Sequence, residues 1–193
     1  MTPRAVTAPQ AVVFGGGTRF VGSAVTPLLF YAAVAAEARG ATIHRWEWQR
    51  PADDLAWTEG HRQAWIDPQV ATALDAAGGS PLVIAKSLGS HAAAQVTARG
   101  LPAVWMTPML RTPEIVTELE RATAPFLLVG GTADTPHWDL ATACRLTPHV
   151  LEIEGADHGM FVPGPLAASA AVLGRVATAV EHFLDTHIWP PAT

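Results

Sequence analysis

The chain has 193 residues, 49% of them hydrophobic and only 15% charged, with a formal net charge of −5. That length suits one domain, with an ordered core expected over about 11–187, and a domain of this size buries enough surface to fold without cross-links. The single cysteine, Cys144, excludes an internal disulfide framework, and the acidic balance argues against general nucleic-acid or anionic-membrane binding.

Mean hydropathy is +0.22, so a membrane segment is the first possibility to weigh. The most apolar window, Val21 to Ala38, is interrupted by Gly22, Ser23, Thr26, Pro27 and Glu37 and is too broken for a span. The start Met-Thr-Pro-Arg carries one positive charge, and a triple glycine interrupts the apolar stretch behind it, so no signal peptide is expected. A cytoplasmic protein is the expectation.

In chain order, strands are predicted at Ala11–Gly15, Ala41–Trp48, Pro81–Lys86, Pro102–Met106, Pro125–Val129 and His149–Ile153. Four of the six are near-continuous apolar runs, the pattern of strands covered on both faces of a parallel sheet. Helices are predicted between and after them, near 27–39, 68–77, 88–99, 113–122, 138–146 and 166–187. Thr26-Pro27, Asp67-Pro68 and Thr112-Pro113 each put a capping side chain before a proline suited to a first helical turn. Gly40, Gly78 and Gly100 each follow a helical run, where a left-handed residue is favoured. This alternation predicts a three-layer α/β/α architecture with right-handed crossovers.

The densest chemical signal is Ala85-Lys86-Ser87-Leu88-Gly89, between a strand and a helix. Small residues two before and two after a serine allow the tight turn of a nucleophile elbow, whose serine is strained and exposed at a helix N-terminus. An acid and then a histidine are wanted at later strand ends. Phe126 to Asp134 delivers an aspartate after the fifth strand, and Val150 to His158 a histidine after the sixth. Asp134 lies 47 residues beyond Ser87, and His158 another 24 beyond Asp134. All three land on one edge of a parallel sheet.

The motifs AKSLGS, GGTAD and GADHG together resemble those of the α/β-hydrolase superfamily in its small, lidless form, over residues 11–187. The resemblance implies Ser87 as nucleophile, His158 as general base and then acid, and Asp134 as the orienting group. It also implies an oxyanion hole from the backbone of Leu88 and of Gly16 or Gly17. The family's first two strands are missing, so the expected sheet has six parallel strands, a minimal α/β-hydrolase fold with no cap domain between Pro102 and Pro125. The implied activity is cleavage of a small carboxylic ester or thioester through an acyl-enzyme, with no metal and no cofactor.

Asp157 is a rival acid, but its adjacency to His158 turns its side chain elsewhere. Lys86, the only lysine, neighbours the nucleophile, yet alternation along a strand points it to the other face, so it reads as a surface or supporting residue. Trp57, Trp65 and Trp138 are candidate walls of an apolar pocket, and His137 a candidate for its mouth. Two other classes compete: an acyl transferase, if the site excludes water, and a silent hydrolase-like binding protein. Phe14 to Gly22 also resembles the glycine-rich loop of NADP-binding short-chain dehydrogenases, with Arg19 at the central glycine. Against that, a helix starting near Thr18 would contain Pro27, and the lone Tyr31 cannot form a Tyr-x-x-x-Lys pair with the lone Lys86.

Overall fold

The structure, a computed structural model, describes residues 8–17, 23–49 and 58–191. It alternates β1 (Gln10–Phe14), α1 (Pro27–Glu37), β2 (Thr42–Trp46), α2 (Glu59–Ala77), β3 (Leu82–Lys86), α3 (Ala93–Ala98) and β4 (Ala103–Met106). There follow α4 (Pro113–Glu120), β5 (Phe126–Gly131), α5 (Leu140–Leu146), β6 (Val150–Ile153) and α6 (Leu166–Phe183), which runs into a π turn at Leu184–Ile188. A 3-10 turn, Ser87–Ala92, joins β3 to α3.

The six strands form one sheet in the order β2-β1-β3-β4-β5-β6, every neighbouring pair parallel. Alternation of side chains divides the core in two. Ala11, Val13, Leu82, Ile84, Val104, Met106, Leu127 and Val129 face α1 and α6. Val12, Phe14, Val83, Ala85, Ala103, Trp105, Phe126 and Leu128 face α2, α3, α4 and α5. Each fully buried aliphatic side chain contributes roughly 1.5–3 kcal/mol, and β1, β3, β4 and β5 bury both faces. This is why those strands read as unbroken apolar runs. Among the described residues no helix is long and apolar enough to cross a membrane.

Two local expectations are corrected. The second helix begins at Glu59 rather than near 68, so Pro68 lies inside it. Thr58, not Asp67, is its N-cap, accepting from His61 N at 3.3 Å, and Ile66 and Val70 continue the buried stripe across the proline. Tertiary burial here outweighs the roughly 3 kcal/mol penalty of an interior proline. Thr26 and Thr112 do precede helices that start with proline, but neither side chain makes a capping hydrogen bond. Gly40, Gly78 and Gly100 take φ of +84°, +67° and +61° after their helices, as expected.

The connection from β1 bears on the dehydrogenase reading. A 3-10 turn occupies Ser23–Val25 and α1 begins at Pro27, so no helix that starts at Thr18 runs on through Pro27. That removes the continuous helix which a dinucleotide-binding loop would need to open.

Candidate active site

The parallel sheet brings the C-terminal ends of β1, β3, β5 and β6 to one edge. At the end of β3 the chain turns sharply and Ser87 takes φ +51°, a left-handed conformation costing a side-chain-bearing residue on the order of 1–2 kcal/mol. The crowding follows from the turn. A Cβ on Gly89 would stand 3.0 Å from the Phe14 carbonyl oxygen and 3.1 Å from Ala85 Cβ. A side chain at Gly89 would therefore press on β1 and on Ala85, which favours small residues on both sides of the serine.

Asp134 comes from the turn after β5. Its backbone N–H donates to Gly131 O at 3.0 Å, and its own carbonyl accepts from His137 N and Trp138 N. The side chain is buried, with 2% of the residue exposed. His158 sits on the turn after β6, which Asp157 ties together by accepting from Gly159 N at 2.8 Å and Phe161 N at 2.9 Å. That commitment keeps Asp157 from orienting the histidine, as its adjacency suggested.

The three side chains form a hydrogen-bonded line. His158 Nδ1 lies 2.7 Å from Asp134 Oδ2, and His158 Nε2 lies 2.7 Å from Ser87 Oγ. A carboxylate only accepts, so Nδ1 carries the proton and Nε2 is left to accept from the Ser87 hydroxyl. Burial pushes the His158 pKa below its ordinary value. The hydrogen bond to Asp134 opposes that shift, and the charge of Lys86 adds to it.

A cavity of about 290 Å³ opens at this edge, lined by Gly16, Gly17, Thr26, Lys86, Ser87 and His158. Gly16 lies against the serine: a Cβ there would be 3.6 Å from Ser87 Cβ. Leu88 follows the serine in the first turn of the 3-10 segment, where backbone N–H groups lack partners within the helix. Trp48 supports the glycine loop from behind, donating its indole N–H to Gly15 O at 2.9 Å and stacking on Phe14.

The two proposed tryptophan walls among the described residues, Trp65 and Trp138, do not line this cavity. Trp138 is buried behind the sheet edge, with its Nε1 2.7 Å from Glu152 Oε2 and its ring so close to Gly130 that a Cβ there would overlap it. Trp65 packs on Trp48 and donates to Gln49 O. Trp57 lies outside the described residues. Of the two readings of Lys86 the structure favours the supporting one over the surface one: it lines the cavity, its Nζ 3.0 Å from the His158 carbonyl oxygen. Alternation does send it to the α1/α6 face; it reaches the edge because its four-carbon stem extends past the end of the strand. His137, whose ring centroid is 4.5 Å from that of His158, does reach the site.

Among the described residues Asp134, His137 and His158 could offer three ligand atoms to one metal ion. The 2.7 Å separation of His158 Nδ1 and Asp134 Oδ2 is a hydrogen-bond distance, however. Two ligands of one tetrahedral zinc ion stand about 3.3 Å apart. The pair as arranged fits a shared proton better than a shared cation. A larger cavity of about 740 Å³, lined in part by Glu59, Gln63, His91 and Glu118, lies between α2, α3 and α4 and does not include Ser87.

No protein-family model matches the sequence, and no curated protein is significantly similar to it. Solved structures are similar in fold. A serine hydrolase without a lid from Xanthomonas campestris superposes with a TM-score of 0.63 at 15% identity, covering 99% of this chain and 87% of that one. The chain has the lidless α/β-hydrolase fold. An α/β serine hydrolase homologue from Coxiella burnetii gives a TM-score of 0.67 at 12% identity, over 91% of this chain and 85% of that one. A protein of unknown function from Agrobacterium tumefaciens, assigned to the α/β-hydrolases, gives 0.63 at 16% identity, over 96% and 89%. In this α/β-hydrolase fold the β4–α4 and α4–β5 connections leave no room for a cap domain, since residues 107–125 hold only α4 and short turns.

Proposed function

We propose that the protein is a serine hydrolase that cleaves a small carboxylic ester or thioester through an acyl-enzyme. The observation that carries this reading is the unbroken line Asp134–His158–Ser87, with both hydrogen bonds at 2.7 Å, beside an open cavity. Ser87 Oγ attacks the substrate carbonyl carbon while its proton passes to His158 Nε2. The resulting imidazolium is stabilised by the Asp134 carboxylate. Backbone N–H groups of Leu88 and of Gly16 or Gly17 receive the oxyanion, and each such donor is typically worth about 10²–10³ in rate. His158 then returns the proton to the leaving alcohol or thiol. Water, activated by the same imidazole, attacks the acyl-enzyme and releases the acid.

The test is labelling with a fluorophosphonate, followed by peptide mass analysis. The adduct is expected on Ser87 in folded protein, and Ser87→Ala should lose both the adduct and turnover of 4-nitrophenyl acetate. Folded protein that takes no label on Ser87 would sink the hydrolase reading. Turnover that survives Ser87→Ala would assign the hydrolysis to other chemistry.

A further inference from the structure

We propose that the substrate of this site carries a carboxylate, and that Lys86 binds it at the wall of the Ser87 cavity. The inference rests on the serine-hydrolase reading and deepens it by naming a substrate class.

The cavity has more polar equipment than the hydrolysis of a neutral ester needs. Gly16, Gly17 and Leu88 suffice for the oxyanion, and Ser87 and His158 for attack. That leaves Lys86 and Thr26 without an assigned task. The Lys86 ammonium has three donors, and one is directed at the His158 carbonyl oxygen at 3.0 Å. Among the described residues no carboxylate is in salt-bridge contact with it. A lysine this deeply set is expected to have an anion as partner, since burial alone disfavours its charge. Asp134 and Asp157 act on it only through space, favouring the ammonium form against burial.

Thr26 supplies the second observation. Its hydroxyl oxygen is buried and has no hydrogen-bond partner, although Thr26 is the N-cap residue of α1 and could have bonded its first turn. It lines the same cavity as Lys86. The N-terminus of α1, an eleven-residue helix, therefore meets the cavity there, and its dipole favours negative charge. Among the described residues no acidic side chain lines the cavity to oppose these groups.

A carboxylate a few bonds from the scissile carbonyl would accept from the two remaining Lys86 donors and from Thr26. The cavity, at about 290 Å³, suits a short acyl group ending in that charge. A half-ester or half-thioester of a small dicarboxylic acid fits this description.

The experiment compares two 4-nitrophenyl esters of equal chain length, the neutral butyrate and the anionic monosuccinate. Wild type is expected to favour the succinyl ester by roughly 10- to 100-fold in kcat/KM, the size of one charge-assisted hydrogen bond. The preference should vanish in Lys86→Met and be partly kept in Lys86→Arg. Equal rates in wild type, or a preference that survives Lys86→Met, would overturn the proposal. So would an equal fall for both esters, which would leave Lys86 only the task of holding the His158 turn. Should the variants fail to fold, or neither ester turn over, wild type is tested by protection of Ser87 against fluorophosphonate. Succinamate should then slow labelling and the isosteric neutral succinamide should not, whereas equal protection refutes the carboxylate. Failure of Ser87 to label at all strikes the hydrolase reading itself, so the two failures are distinguishable.

Discussion

His158 collects opposing influences whose sum is testable by pH. In its proposed role of general base it must be neutral, and burial together with the Lys86 charge lowers its pKa, only partly offset by Asp134. Activity therefore falls as pH drops through that lowered value, and the acidic limb of kcat/KM for a neutral ester should lie below the ordinary histidine value of about 6.5. Lys86→Met removes a positive charge, makes the imidazole easier to protonate, and should move the limb upward. A limb that stays fixed would show that Lys86 exerts no electrostatic effect on the base. Asp134→Asn should leave the fold intact and lower kcat by roughly 10⁴, because the amide stabilises the wrong tautomer. At this scale Ser87, Asp134 and His158 were legible because the order of strand ends is written in the chain. The place of Lys86 in the cavity and the positions of Trp65 and Trp138 were not, because the reach and packing of a side chain depend on neighbours far away in sequence.

At the scale of elements, the close approaches of strand ends decide the geometry. Gly131 closes β5 with no space for a side chain: a Cβ there would stand 2.2 Å from the Ala156 carbonyl oxygen, on the turn that carries His158. Gly131→Ala must separate the ends of β5 and β6, and so Asp134 from His158. A loss of about 1–3 kcal/mol in urea unfolding is expected, together with reduced turnover in the protein that remains folded. Gly174 is the contrasting case, exposed in α6, where an added Cβ would meet nothing within 4 Å. Gly174→Ala should stabilise by roughly 1 kcal/mol with turnover unchanged. The start of α2 is hidden from the sequence for an equally local reason. Asp67-Pro68 has the signature of a helix start, and only the packing of Ile66 and Val70 against the sheet shows that the helix is already under way.

Across the whole molecule, the packing of α2 against the turn after Ser87 buries His91, which is 1% exposed. Its Nδ1 is 2.9 Å from Gln63 Oε1, and burial, aided by the charge of Arg62, lowers its pKa to about 4. Glu59 Oε1, 3.2 Å from His91 Nδ1, would favour the charged ring, since Arg62 engages only Oε2, but burial outweighs it. Between pH 6.5 and 4 the unfolded chain binds a proton here that the folded one does not, so stability falls as pH is lowered through that window. The loss amounts to on the order of 3 kcal/mol by about pH 4. Urea unfolding at about pH 7 and about pH 4.5 should show a shallower decline for His91→Gln than for wild type. Parallel declines would place the acid sensitivity elsewhere.

Composition and pattern by themselves determined the doubly covered parallel sheet, because buried strands must be apolar on both faces and turns need particular residues. They also put Ser87, Asp134 and His158 at one sheet edge, because parallel strands all end on the same side. Only the tertiary structure decided what surrounds the serine. It put Lys86 and Thr26 at the cavity and kept Trp65 and Trp138 away from it. Those placements depend on the angles and close contacts between elements distant in sequence, which no local pattern encodes.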